Sequence, residues 1–96
     1  MTLSEFSRLF GNTPMTRVLD YFLDNQYLAF GQADVLRGAN ISYNTARPVW
    51  ERLIAANALI PDGKTRKTQL YRLNKKNLFI QQLITLDHTI SHEFSK

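Results

Sequence analysis

Two helical patterns joined by a very short turn constrain the fold of this chain more than any other feature. Residues 32–39 fit two turns of helix with aliphatic residues on one side, and Asn40 follows, a residue type that tolerates the left-handed backbone conformation at helix ends. Ser42 then suits the N-cap of a second helix. The sequence therefore predicts two consecutive helices around a tight turn whose corner is filled by Ile41.

The second of these helices has one apolar face and one largely polar face. At about 100° per residue, its inward positions fall within roughly 100° of one another. Pro48 lies near its middle, where it removes the hydrogen bond to the Asn44 carbonyl at a typical cost of about 3 kcal/mol. We therefore expect a kink or a helix in two pieces. The predicted inward residues are Ala46, Val49, Trp50, Leu53 and Asn57.

Other apolar periodicities predict the elements on either side. Residues 2–10 fit a short amphipathic helix, a second helix begins at Pro14 after a Thr13 cap, and residues 77–94 fit a last helix. Residues 27–30 fit a brief strand or an extended linker. Residues 59–60 and 69–73 fit two strands joined by a charged loop at 62–68, which predicts a basic hairpin.

This order of helices and hairpin is similar to that of winged helix-turn-helix domains. The turn Asp34-Val35-Leu36-Arg37-Gly38-Ala39-Asn40-Ile41-Ser42 resembles that of the family, with Asn40 where Gly is frequent. Two further segments resemble small prokaryotic, especially archaeal, winged-helix transcriptional regulators, and the whole resemblance covers about residues 9–86. They are Leu9-Phe10-Gly11-Asn12-Thr13-Pro14 and Leu70-Tyr71-Arg72-Leu73-Asn74.

The resemblance implies a mainly α fold with a small β-hairpin wing (α+β) and extra helices at both ends. A chain of 96 residues has room for one hydrophobic core. We therefore predict a single domain over residues 1–96, with an N-terminal helix at 1–12, a winged-helix core at 13–74 and a C-terminal helix at 75–96.

Positive charge is concentrated in the turn, the second helix of the pair and the hairpin. Nine of the twelve Lys and Arg residues lie from Arg37 to Lys76, with two acids, a net charge of +7 that leaves −3 for the rest of the chain. A surface of this kind attracts a polyanion such as double-stranded DNA.

We predict a DNA-binding site at the start of the helix after the turn and in the hairpin. Only the major groove distinguishes all four base pairs, and there Arg47 suits guanine and Asn44 suits adenine. The hydroxyls of Ser42 and Tyr43 suit phosphates, and the hairpin cations suit the backbone or the minor groove. The predicted DNA-binding residues are Ser42, Tyr43, Asn44, Thr45, Arg47, Lys64, Thr65, Arg66, Lys67 and Arg37.

Large apolar residues recur along the last helix at steps of four, three, four and four, and a chain this small already has several other apolar helix faces to bury. Together with the resemblance to winged-helix regulators, this pattern predicts a homodimer to which the N-terminal helix contributes. A two-fold dimer reads two half-sites about one DNA turn apart. The alternative is a monomer whose last helix packs on its own core. The predicted interface comprises Phe79, Leu83, Leu86, Ile90 and Phe94, with Leu3, Phe6 and Phe10.

Motifs for catalysis are missing from the sequence, so we predict no enzyme, no cofactor and no metal site. There is no phosphate-binding Gly loop, and His88 and His92 alone do not close a metal site. No stretch approaches the roughly 18 apolar residues of a membrane span, and the absence of cysteine suits a reducing cytoplasm.

We therefore predict a cytoplasmic, dimeric, sequence-specific DNA-binding protein that regulates transcription. One alternative is a DNA-binding adaptor for plasmid or chromosome partition. Another is a winged-helix module that binds an acidic protein through its basic hairpin.

Overall fold

The computed structural model describes residues 5–94, in which five helices and a two-stranded hairpin follow the predicted order. The predicted interface residue Leu3 lies outside these residues. The helices are α1 (Glu5–Phe10), α2 (Pro14–Asp24), α3 (Gln32–Ala39), α4 (Tyr43–Ala55) and α5 (Leu78–Phe94). The strands are β1 (Leu59–Thr65) and β2 (Thr68–Leu73).

The turn between α3 and α4 confirms the prediction from the sequence. Asn40 has φ 57° and ψ 54°, the left-handed conformation that ends α3. The Ile41 N–H donates to the Leu36 carbonyl at 2.9 Å, which closes the end of α3. An Arg17 Nη1 from α2 donates to the Asn40 carbonyl at 3.2 Å and ties the turn to the rest of the helices.

The hairpin strands are longer than expected and pair almost to the tip. The strands pair antiparallel from Leu59–Leu73 at the base to Thr65–Thr68 at the tip, with a bulge between Pro61 and Lys64. The prediction of a charged loop at 62–68 was wrong. The bulge accommodates Pro61 and the positive φ of Gly63, so pairing resumes beyond them and leaves a two-residue turn.

A third, minimal strand lies beside the hairpin. The predicted strand at 27–30 is reduced to Phe30, whose N–H and carbonyl each bond to Tyr71 of β2 at 2.8 Å. Residues 25–27 form a turn instead. This bridge attaches the segment before α3 to the middle of β2.

The core lies between the helices and the base of the hairpin. The rings of Phe22 and Trp50 are 5.9 Å apart, and Tyr71 meets Trp50 edge-on at 5.5 Å. Four of the five predicted inward residues of α4 are buried, but Asn57 is exposed because α4 ends at Ala55 and Asn57 has φ 61°. The most fully buried side chains are Phe22, Leu59, Leu73, Ile80, Val18 and Val35.

Three asparagines join the end of α4, the base of the hairpin and the start of α5. The Asn74 amide donates to the Asn57 carbonyl at 2.9 Å, and its Oδ1 accepts the Lys76 N–H at 3.1 Å. The Asn77 amide donates to the same Asn57 carbonyl at 3.1 Å and its Oδ1 accepts the Ile80 N–H at 3.2 Å. These bonds fix the hairpin and α5 relative to α4.

Candidate nucleic-acid interface

The start of α4 presents four predicted DNA-binding residues to solvent. Tyr43, Asn44, Thr45 and Arg47 are all exposed, and Tyr43 retains 56% of its accessible surface. Ser42 is exposed, but its hydroxyl already makes two hydrogen bonds. Its Oγ accepts the Thr45 N–H at 3.3 Å and donates to Thr45 Oγ1 at 2.9 Å. Ser42 therefore acts first as the cap that begins the helix.

Pro48 lies inside α4, which runs without a break from Tyr43 to Ala55. The predicted division of this helix into two pieces is therefore not observed. Pro48 has no N–H for the Asn44 carbonyl, but both residues are exposed, which lowers the cost of the missing hydrogen bond. Asn44 and Arg47 consequently belong to one continuous helix with the buried Trp50.

Arg47 is held by a carboxylate one helical turn further along. Its Nε donates to Oε1 of Glu51 at 3.1 Å, and the two side chains are 63% and 65% exposed. The hydrogen bond from Arg47 and the nearby negative charge of Glu51 raise the pKa of the Arg47 guanidinium above its ordinary value.

The hairpin tip carries cations without acidic partners. Lys64, Arg66 and Lys67 are exposed, and within residues 5–94 no carboxylate lies at ion-pair distance from them. Arg66 occupies the first position of the two-residue turn with φ 56°, a conformation that disfavours a side chain. Thr65 is the last residue of β1 and is also exposed.

Two further arginines of the basic segment, Arg37 and Arg72, are paired. Arg37, predicted to contact the DNA backbone, is bound to Asp34 on the outer side of α3. Arg72 Nε lies 3.2 Å from Oδ2 of Asp62 at the base of the hairpin. The uncompensated charge of the predicted site is therefore concentrated at the hairpin tip.

The hairpin packs against the beginning of α3. A Cβ added to Gly31 would lie 2.8 Å from Cγ2 of Thr68, so a larger residue at this position would require the Thr68 side chain to shift. A cavity of about 360 Å³ remains nearer the tip, lined by Asp34, Thr65, Arg66, Thr68 and Leu70. Sequence reasoning missed the contact because an isolated glycine before a helix resembles an ordinary N-cap.

The structure divides the predicted dimer interface into two sets. Phe6, Leu83 and Ile90 are 4%, 8% and 3% exposed, because α1 packs against α5 within the same chain. Phe10, Phe79 and Leu86 instead keep 50%, 59% and 40% of their surface exposed, as does Leu9 with 55%. The side chain of Phe94 lies outside the described residues.

Carboxylates face one another between α2 and α5. Desolvation by burial, followed by the charge of Asp20, raises the pKa values of Asp24 and Asp87 above the ordinary range for aspartate. Within residues 5–94, no group of three His, Asp or Glu side chains is arranged to hold a metal ion. Unpaired positive charge at the hairpin tip thus coexists with negative charge between these helices.

Helices α3 and α4 around a tight turn, followed by the β1–β2 wing, define a winged helix-turn-helix protein. The structure is similar to that of Sso10a-2, a DNA-binding protein from Sulfolobus solfataricus, with a TM-score of 0.55. The two share 20% sequence identity, and the alignment covers 82% of each chain. At this identity the likeness concerns the fold, and it confirms the predicted fold class.

Comparisons of the sequence with known protein families and with curated proteins give no match. No helix in residues 5–94 has the length and apolar character needed to cross a membrane.

Proposed function

We propose that this protein is a dimeric, sequence-specific, double-stranded DNA-binding regulator of transcription. The observation that carries the proposal is the hairpin tip, where three cations lack acidic partners among the described residues. Exposed ammonium and guanidinium groups of this kind neutralise phosphates and release counterions, which drives binding to DNA. The Sulfolobus protein with a similar fold is a DNA-binding protein, which adds support.

In this proposal the start of α4 lies in the major groove. Asn44 and Arg47 are exposed on a helix whose opposite face is fixed in the core by Val49 and Trp50. A rigid helix presents its side chains at a defined height in the groove, which base recognition requires. The wing then lies along the phosphate backbone or enters the neighbouring minor groove.

A second copy of the chain covers the exposed apolar side chains of α1 and α5 in the proposed dimer. Solvent exposure of five large apolar residues on these two helices favours association. They are Leu9, Phe10, Leu78, Phe79 and Leu86. A two-fold dimer would place two copies of α4 about 34–36 Å apart, one turn of DNA. The proposed activity is binding alone, in the cytoplasm, without catalysis, cofactor or metal.

Selection from random DNA duplexes tests this function. The purified protein is mixed with the pool at about 150 mM salt, and the bound fraction is sequenced. We expect an enriched two-fold motif with half-sites about one turn apart. Salt-sensitive binding without a motif would support the partition adaptor instead. No binding to any duplex would refute the proposal and favour an acidic protein as partner.

A further inference from the structure

Glu51 is an acidic residue on the surface that the proposed function places against DNA. At about 100° per residue along α4, Tyr43, Arg47 and Glu51 form one row, each a turn beyond the last. The buried residues Ala46, Val49 and Leu53 lie on the other side of the helix. Glu51 is therefore directed away from the core, and its exposed carboxylate repels DNA phosphates.

The hydrogen bond from Arg47 to Glu51 uses a specific atom of the guanidinium. Glu51 Oε1 accepts from Nε at 3.1 Å, whereas the two terminal nitrogens of Arg47 have no protein acceptor within residues 5–94. Guanine presents two acceptors, O6 and N7, to paired donors of this kind. The contact with Glu51 thus fixes the stem of the side chain and leaves donors free for the base.

We propose that Glu51 is a positioning residue that directs Arg47 to guanine rather than to phosphate. This inference rests on the proposed function. Holding Arg47 before binding reduces the side-chain entropy lost when the base is contacted. The negative charge of Glu51 also opposes a phosphate near the guanidinium, so the alternative contact is disfavoured.

Replacement of Glu51 by glutamine should change affinity and specificity in opposite directions. Loss of one negative charge raises affinity for random duplexes. Loss of the held geometry lowers the preference for guanine at the position read by Arg47. The interaction in an exposed ion pair is weak, so we expect that preference to fall about three- to fivefold.

The experiment measures dissociation constants for four duplexes that differ only at the base whose preference disappears in Arg47→Ala. The proteins are the wild type, Glu51→Gln, Arg47→Ala and the double variant. Asp34→Asn is the matched control, because it removes one carboxylate from another exposed pair, that with Arg37 on α3. We expect this control to raise affinity for random duplexes without altering the preference for guanine.

In the double variant, Glu51→Gln should have no further effect on base preference. The role of Glu51 would be overturned, and the proposed function left standing, by an unchanged preference for guanine in Glu51→Gln or by a further loss of preference in the Arg47→Ala background. A wild type that selects no motif would overturn the proposed function, and this role with it. A melting curve for each variant checks that the fold is retained.

Discussion

The wing should provide about half of the salt dependence of DNA binding, and a triple substitution tests this. Lys64, Arg66 and Lys67 are exposed and have no acidic partner within residues 5–94. If each protomer neutralises about six phosphates, the logarithm of affinity per protomer falls with the logarithm of salt concentration at a slope near −5. Three alanines should reduce that slope to about −2.7.

These slopes predict a large difference between two salt concentrations. From 50 to 200 mM salt, the affinity per protomer should fall by about three orders of magnitude in the wild type, and only about 40-fold in the triple variant. The variant should also bind more weakly at each concentration, on random and specific duplexes alike, since phosphate contacts carry no sequence information. Fluorescence anisotropy across a salt series measures both quantities.

A single substitution at a paired arginine provides the control. Arg72→Gln removes a cation already neutralised by Asp62, whereas Lys67→Gln removes one without such a partner. Lys67→Gln should flatten the slope by about 0.9, and Arg72→Gln should leave it nearly unchanged. Equal effects of the two variants, or a triple variant with the wild-type slope, would refute the assignment of uncompensated charge to the wing. Because all three wing side chains are exposed, folding stability should change by less than about 0.5 kcal/mol per site.

Three further perturbations have expected outcomes. Leu86→Glu should halve the particle mass measured by sedimentation at fixed concentration, whereas Thr85→Glu on the same helix should leave it unchanged. Because Leu86 is 40% exposed, the Leu86→Glu monomer should still fold. Arg66→Gly should raise the free energy of unfolding by about 0.5–1 kcal/mol in a denaturation experiment, because glycine adopts φ 56° without strain. The same variant should bind DNA more weakly in fluorescence anisotropy, because it loses a wing cation. Asp87→Asn should stabilise the protein near pH 7, since burial and Asp20 raise the pKa of Asp87 in the folded state. The charged form of Asp87 destabilises the folded state, and this effect disappears as the pH falls below the pKa of aspartate in the unfolded chain, about 3.9. The melting temperatures of the variant and the wild type should therefore converge at low pH.

The turn and helix caps could be predicted from the sequence because they depend on local chemistry. Asn40 and Ser42 have the residue types that a left-handed helix end and an N-cap require, and each occupies that place in the structure. The hairpin was predicted in kind but not in length. A bulge around Gly63 depends on cross-strand pairing, which local residue preferences do not specify.

The two sides of α5 show what helical periodicity cannot separate. Phe79 and Leu86 lie within about 60° of Leu83 and Ile90 on the helix, so periodicity alone assigns all four to one apolar stripe. The position of α1 decides which of them are buried, and that depends on tertiary packing. Gly38 is a similar case: a Cβ there would overlap the Tyr21 ring, a contact between α3 and α2 with no sequence signal.

The ion pairs of the basic segment suggest different roles in DNA binding for the wing and for α4. Within residues 5–94, the acids Asp34, Glu51 and Asp62 each pair with an arginine on α3, α4 or β2, whereas the wing cations have no such partners. A paired guanidinium adds little to long-range attraction, because its field is largely cancelled by the neighbouring carboxylate. It is, however, held in one direction, which is what hydrogen bonding to a base edge needs. In the proposed function, the wing therefore provides the attraction to phosphates, and α4, where Glu51 pairs with Arg47 and orients it, provides the choice among sequences.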